Sequence, residues 1–509
     1  MSPENHLQVV WFKRDLRVSD HRPLYESSQK GTVLPLYIVE PLVVNAPDFG
    51  TRHWEFIRGS LEELRKNLAK RGQPLIVRIG DAVEVLKTLH QQRGHFTLYA
   101  HEETGNDITF QRDKAVRKWA KSQQIQFHEF YQNGVVRVLS DRDGWSKIWE
   151  KRMSEEIFPT PDQLSTIKEL EVGEIPTSEQ LELSDLLGSV QPPGEQAAQE
   201  LLQSFLYERG QPYHFALSSP LSAFDHCSRL SPHIAYGTIS LKTVVQALEK
   251  RRAKLKDDTT PEAGDWKKSM RAFEARLHWQ SHFMQKLESD PNIEFQSFIP
   301  PYDQLRESEF NQEYYQAWCE GKTGFPMVDA CMRALRGTGY LNFRMRAMIV
   351  SFAAYNLWLD WRQFGHYLAQ QWTDYEPGIH YSQLQMQSGT TGINTVRIYS
   401  PTKQGKDHDP EGVFIKRWVP ELAEVPLKYI HEPAKMPDEV QEESRCVIGR
   451  DYPYPIVDHV ATAKEAKRRI YEMRRLPELR QLADEVMAKH GSRKKPSSRR
   501  FSKKKSSAS

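Results

Sequence analysis

The chain of 509 residues is 39% hydrophobic and 27% charged with a formal net charge of +3, the composition of a globular protein long enough for two or three domains. Its four cysteines, Cys227, Cys319, Cys331 and Cys446, are scattered with no CxxC pair, which excludes a disulfide framework and the usual zinc and iron–sulfur spacings. The N-terminus carries no charged-then-apolar leader pattern, and the longest apolar run, at 348–359, is too short to span a bilayer. The expected compartment is therefore the cytoplasm.

In chain order, residues 1–135 alternate apolar runs (LQVVWF, VLPLYIV, PLIVRIG, FTLYAH) with helical stretches such as HWEFIRGSLEELRKNLAKRG. That alternation predicts βαβ units and an α/β domain built on a parallel sheet. Residues 136–205 are acidic, rich in Pro, Ser and Glu, and weakly periodic, and read as an interdomain linker. From 206 to 485 helical patterns punctuated by Pro and Gly take over, predicting an all-α domain. Residues 486–509 form a Ser/Lys/Arg tail whose nine cations from Lys489 onward leave the rest of the chain at −6. Such a tail is expected to be disordered; it suits nucleic-acid contact and plain solubility equally well.

Within the helical half, TGFPMVDACMRALRGTGYLNFRMRAMIVSFAAYNLWLDW holds two helices. Pro326 suits a first turn, Val328, Cys331 and Leu335 keep helical spacing, and Gly337 and Gly339 mark the break. The second helix is apolar nearly all round and therefore buried, yet it starts with Arg344 and Arg346. A buried guanidinium needs an anion. DYEPGIHYSQLQMQSGTTG (374–392), read as a polar loop, supplies Asp374 and Glu376, and an Arg346–Asp374 pair is the simplest solution. From pattern alone, a purely structural ion pair accounts for these residues better than a ligand site does.

A second cluster is YHFALSSPLSAFDHCSRLSPHIAYGTIS (213–240). There Ser231 can cap a helix beginning at Pro232, and Ser228 and Arg229 stand just before it, a pattern suited to a phosphate. Asp409-Pro410-Glu411 repeats the capping chemistry and is read as structural. His278 and His282 have the i, i+4 spacing of metal ligands but lack the HExxH glutamate, so no metal is expected.

Taken together, VVWFKRDLRVSDHRPL (9–24), SRLSPHIAYGTIS, TGFPMVDACMRALRGTGYLNFRMR, RIYSPTKQGKDHDPEGVFIKRWVPEL (397–422) and DYPYPIVDH (451–459) resemble the photolyase/cryptochrome flavoproteins over residues 8 to 460. The resemblance implies a Rossmann-like antenna domain, a helical FAD-binding domain, and light-driven repair of pyrimidine dimers in UV-damaged DNA by reduced FAD, performed by a monomer. It places Asp374, Arg346 and Glu376 around the flavin and Tyr213, Ser228, Arg229, Leu230 and Ser231 at its diphosphate. Trp279 takes the position of the family's lesion-stacking tryptophan, His380 falls where a residue faces flavin N5, and Arg344 and Glu274 complete the implied catalytic set. A His at 380 would tune the flavin by titrating near neutral pH.

The sequence also departs from the family pattern. Arg276 replaces a carboxylate three residues before Trp279, Met386 replaces an aromatic, and of three electron-transfer tryptophans only Trp361 matches, with Leu384 and Ser308 at the others. Trp358, Trp372, Tyr367 and Tyr381 offer a substitute route. These departures mark a divergent, bacterial-type branch. The antenna chromophore is left open between a folate, a deazaflavin and none, with Asn106 and Asp107 as candidate polar contacts. Two further readings stand beside repair: a cryptochrome-like blue-light photoreceptor, and a nucleic-acid-binding flavoprotein that works without light.

Overall fold

The computed structural model describes residues 6–184 and 188–491. Five strands, β1 (Leu7–Phe12), β2 (Thr32–Val39), β3 (Ile76–Ile79), β4 (Phe96–His101) and β5 (Phe127–Phe130), form one parallel sheet in the order β3-β2-β1-β4-β5. The runs are apolar throughout because both faces are covered. Val10 and Phe12 pack with Trp54, Phe56 and Leu61 of the helix Thr51–Ala69, whereas Val9 and Trp11 pack with Leu86, Val116 and Trp119 on the other side. This is the period-2 alternation of a strand applied to a sheet with two buried faces.

The stretch expected as a linker is only partly one. Helices Trp145–Ser154 and Glu195–Ser204 lie within it, and Trp145, Trp149, Met153, Ala198 and Leu202 join a cluster with Val244, Met270 and Phe273. Widely spaced aromatic anchors hide a helical period that a compositional reading misses. The other limit of the helical region also shifts. The last helix, Pro477–His490, runs past 485, and Lys489, counted above with the tail, donates to Asp290 at 2.8 Å. The remaining tail, 492–509, lies outside the described residues.

The largest cluster gathers the helices Pro326–Thr338, Phe343–Ser351 and Trp361–Gln371. The helix from Phe343 continues through a π-helical turn, Phe352–Asn356. The segment read as a polar loop is instead the helix Pro377–Ser388, with Pro377 in its first turn and Gly389 in the left-handed conformation (φ +78°) after its end. Its polar side chains are buried against specific partners: Gln385 alone donates to the Ile293 and Gln296 carbonyls and accepts from Phe298 N. A Cβ added at Gly378 would meet the Met284 Cα at 2.6 Å, so this glycine lets the helix close on the long helix Ala263–Ser289. No helix among the described residues is long and apolar enough to cross a membrane.

Candidate functional site

A cavity of about 320 Å³ opens where the helices Ala263–Ser289, Phe343–Ser351 and Pro377–Ser388 face the segment around Ser228. At its centre the Arg346 guanidinium forks onto Asp374, with Nη1 and Nη2 donating to the two carboxylate oxygens at 3.0 and 2.9 Å. Burial would raise the Asp374 carboxyl, but the Arg346 charge overrides it and, with the Ser231 hydroxyl, holds it below the ordinary range. Arg346 also lies 4.1 Å over the Trp372 ring, which lines the same cavity. Glu376 lines it too, paired at 3.5 Å with Arg14 from the loop after β1, and burial pushes its carboxyl up to about 7.

Also lining the cavity, Arg229 adopts φ +61°, a left-handed backbone unusual for a residue with a side chain. Its Nε and Nη2 donate to Gln191 Oε1 at 3.2 and 2.9 Å, and Phe224 and Tyr340 sandwich the guanidinium at 4.1 and 3.8 Å. Nη1 is buried with no partner. A charged group with one donor unspent beside a cavity is what an anion completes. Ser228 and Tyr213 line the same region. Leu230 turns its side chain into the core with Phe205, Tyr213 and Leu277, which leaves only its backbone for a ligand. Ser231 is not the cap, because the short helix Ser231–Ala235 starts on it and its hydroxyl serves Asp374 instead. Asp409 is not the expected N-cap, since the helix Val413–Trp418 starts after Gly412, but its carboxylate reaches forward to accept from Phe414 N and Ile415 N at 3.1 and 2.9 Å.

Trp279 stands at the mouth, 42% exposed, with Arg276 4.3 Å over its ring and Phe343 6.4 Å away. Glu274 is not part of this arrangement. It pairs with Arg252 on the outer side of the helix, because two residues from Arg276 is roughly 200° of turn. Glu274→Gln is accordingly expected to shift stability by no more than about 1 kcal/mol, the upper end for exposed pairs; thermal melts check this. Arg344 fails for the same reason: two residues before Arg346, it points away from the cavity toward His408, its Nε buried without a partner.

His380 does line the cavity, with Nε2 2.9 Å from the Gly365 carbonyl oxygen, but burial pushes it down to about 4. It is a neutral imidazole near neutral pH, not the expected titrating group. His53, His233 and His101 are likewise driven by burial to about 4, 4 and 3. The unfolded chain, whose histidines titrate near 6.5, therefore takes up more protons in the acid range. This contribution to stability is complete above about pH 6.5 and is lost as pH falls toward 4, by up to about 1.4 kcal/mol per histidine per pH unit. Thermal melts are expected to show a lower Tm at about pH 5 than at pH 7.

The three tryptophans sit in different surroundings. Trp372 lies at the cavity, Trp361 is buried against Tyr381 at 6.4 Å with Nε1 on Ser297 Oγ, and Trp358 sits between Arg306 and Arg469 at 4.5 and 5.0 Å. His278 stacks on Trp149 at 3.6 Å and His282 Nδ1 lies 2.6 Å from Arg142 Nη2, so neither lines the cavity. Arg14 was missed, although it sits in the charged run KRDLR directly after a strand, where an α/β sheet presents its binding residues. A smaller cavity of about 100 Å³ lies at that end of the sheet, lined by Lys13, Glu40, Asp48, Asn106 and Arg112 among others. Asn106 lines it, donating to Asp48; the Asp107 carboxylate turns outward to Gln111.

The chain matches the family models for DNA photolyase at residues 8–142 and for the FAD binding domain of DNA photolyase at residues 273–472. The deoxyribodipyrimidine photo-lyase of Escherichia coli is 30% identical over 487 residues, 90% of this chain and 96% of that protein. A cryptochrome DASH of Natronomonas pharaonis is 28% identical over 485 residues, 88% and 98% of the two chains. The crystal structure of an archaeal photolyase from Sulfolobus tokodaii with two FAD molecules superposes with a TM-score of 0.74 at 25% identity, covering 92% and 100% of the two chains. With both family models matched and full-length relatives of both kinds, this chain belongs to the photolyase/cryptochrome family and carries its FAD-binding domain.

Proposed function

We propose that the chain repairs UV-induced pyrimidine dimers in DNA by light-driven electron transfer from reduced FAD, with FAD seated in the larger cavity. The unspent Arg229 Nη1 supports the seat, since a diphosphate supplies the anion that this buried cation lacks. Ser228, Arg229 and Tyr213 would hold the diphosphate, and Arg346, Asp374, Glu376 and His380 would surround the ring. Reduced FAD, when bound, supplies the photoexcitable electron donor. An antenna role for residues 1–135, a flavin role for 206–485 and a monomer acting in the cytoplasm belong to the same reading.

The observation that carries repair over signalling is the mouth of the cavity. Trp279 exposes an aromatic face beside Arg276 and Phe343, directly above a cavity with apolar walls. A base taken out of the duplex stacks on such a face and leaves water behind. Arg276 adds a fixed positive charge for a backbone phosphate or a pyrimidine carbonyl. A blue-light receptor is the second reading, favoured by Arg276 itself, which stands where family members carry a carboxylate. Blue light on the reduced protein mixed with UV-damaged DNA separates the two. Lesion loss in light and none in darkness supports repair, whereas intact lesions alongside reversible flavin bleaching would favour the receptor.

A further inference from the structure

Two phenols converge on one buried carboxylate in the wall between the two cavities. The Tyr375 hydroxyl donates to Asp48 Oδ2 at 2.5 Å, and the Tyr381 hydroxyl lies 3.5 Å from that oxygen and 3.4 Å from the Tyr375 hydroxyl. Asn106 Nδ2 donates to Asp48 Oδ1 and Oδ2 at 3.2 and 3.0 Å. Asp48 is 3% exposed, and the donors that hold it are phenols and an amide instead of a cation. Its oxygens are therefore met by neutral donors alone, with the Tyr375 hydroxyl the shortest of them.

Tyr375 lines both cavities. The His53 ring stacks on it at 5.5 Å and 14°, and His380 meets its edge at 5.3 Å and 79°. Burial keeps both imidazoles neutral near neutral pH, so the two rings packed on the phenol add no positive charge of their own. Loss of an electron turns a phenol O–H into a strong acid. An acceptor 2.5 Å away takes that proton inside an existing hydrogen bond, with no heavy atom moving. None of Trp358, Trp361 and Trp372 offers a comparable partner, and only Trp372 among them lines the cavity.

We propose that Tyr375 is a light-driven electron donor to oxidised flavin held in the larger cavity, with Asp48 as its proton acceptor. One electron leaves the Tyr375 phenol for the photoexcited oxidised flavin; the phenol O–H bond breaks and an Asp48 O–H bond forms. A thiolate then returns one electron to the phenoxyl oxygen, Asp48 returns its proton, and the thiyl radicals from two such cycles pair as a disulfide. Tyr381, in contact with both Asp48 and Trp361, extends the line one ring further. The proposal rests on flavin in this cavity and is independent of repair.

The test uses the full chain loaded with oxidised FAD and illuminated with blue light beside a thiol, in unchanged protein, Tyr375→Phe and Asp48→Asn. Electron paramagnetic resonance on light-frozen protein grown with ring-deuterated tyrosine is expected to show a phenoxyl signal narrowed by the deuterium. Tyr375→Phe is expected to abolish that signal and to slow flavin bleaching per bound flavin by about tenfold or more, a barrier of about 1.4 kcal/mol. Asp48→Asn keeps the phenol and removes the acceptor, and is expected to slow bleaching and remove its dependence on deuterated solvent. A radical unaffected by tyrosine deuteration, or bleaching of Tyr375→Phe at the unchanged rate, would overturn the proposal. If Tyr375→Phe fails to hold flavin, the deuterated unchanged protein and Asp48→Asn decide. Repair by chemically reduced, unchanged protein bypasses this step, so failure there counts against the repair reading and leaves Tyr375 standing.

Discussion

Arg346→Ala should purify with less than about a tenth of the flavin bound by the unchanged protein, because removing one partner of this largely buried pair costs a good part of the about 3–5 kcal/mol of a fully buried one. The Asp374 side chain is nine-tenths buried, and its two oxygens are taken by the guanidinium fork. Without that fork the carboxylate loses its main compensation beside the cavity, and burial, now opposed only by the Ser231 hydroxyl and the more distant Arg229 charge, raises its pKa. Asp374→Asn inverts the damage, leaving Arg346 with its stack on Trp372 but no counter-charge. Arg346→Lys keeps the charge and loses the fork, and should fall between. The sign of the pH dependence follows from the lowered Asp374. The pair's contribution is complete above the usual carboxylate range and is lost only as pH falls through the depressed value. Flavin release measured against pH in the unchanged protein should therefore begin below about pH 4, and earlier in Arg346→Lys. Undiminished flavin in both Arg346→Ala and Asp374→Asn would remove the pair from the cofactor site.

Trp279→Ala should weaken binding to UV-damaged single-stranded DNA by about 5- to 150-fold, the range set by about 1–3 kcal/mol for one base stacked on one aromatic face. Flavin content should hold, because Trp279 stands at the mouth and contacts Arg276 and Phe343, not the Arg346–Asp374 pair. Trp279→Phe keeps a π face and should recover most of the affinity. Fluorescence anisotropy with damaged and undamaged oligonucleotides separates stacking from phosphate attraction: a loss confined to damaged DNA marks a lesion seat, while equal loss on both marks a general contact. Unchanged affinity for damaged DNA would leave the residue as surface packing.

Some of this architecture is plain in the sequence, and the reasons are physical. Strands β1 to β4 announce themselves because a sheet covered on both faces needs consecutive apolar residues, whereas β5, four residues at the sheet edge reading FHEF, has no such need. The Arg346–Asp374 pair was legible because a guanidinium opening an apolar helix demands an anion. Its neighbour Arg344 looked equivalent and is not, since two steps along a helix reverse the direction of a side chain. The same geometry separates Glu274 from Arg276. The helix Pro377–Ser388 escaped recognition because its buried faces are polar, filled by Ser382, Gln385 and Gln387; only the terminal Pro377 and Gly389 marked it. Arg229's left-handed backbone and spare donor left no trace in residue order at all.

Arg14 carries a consequence for how such a protein can change over evolutionary time. It leaves the sheet domain at the end of β1 and reaches across to donate to the Ala235 and Tyr375 carbonyls and to face Glu376 at the flavin cavity. An exchange of the sheet domain for a different fold would carry away the cation that faces Glu376 from behind the larger cavity. Glu376, already poised by burial near neutrality, would then hold its proton. The two halves are thus heritable only as a matched set, and a donor module would succeed only by bringing a cation of the same reach at the same loop.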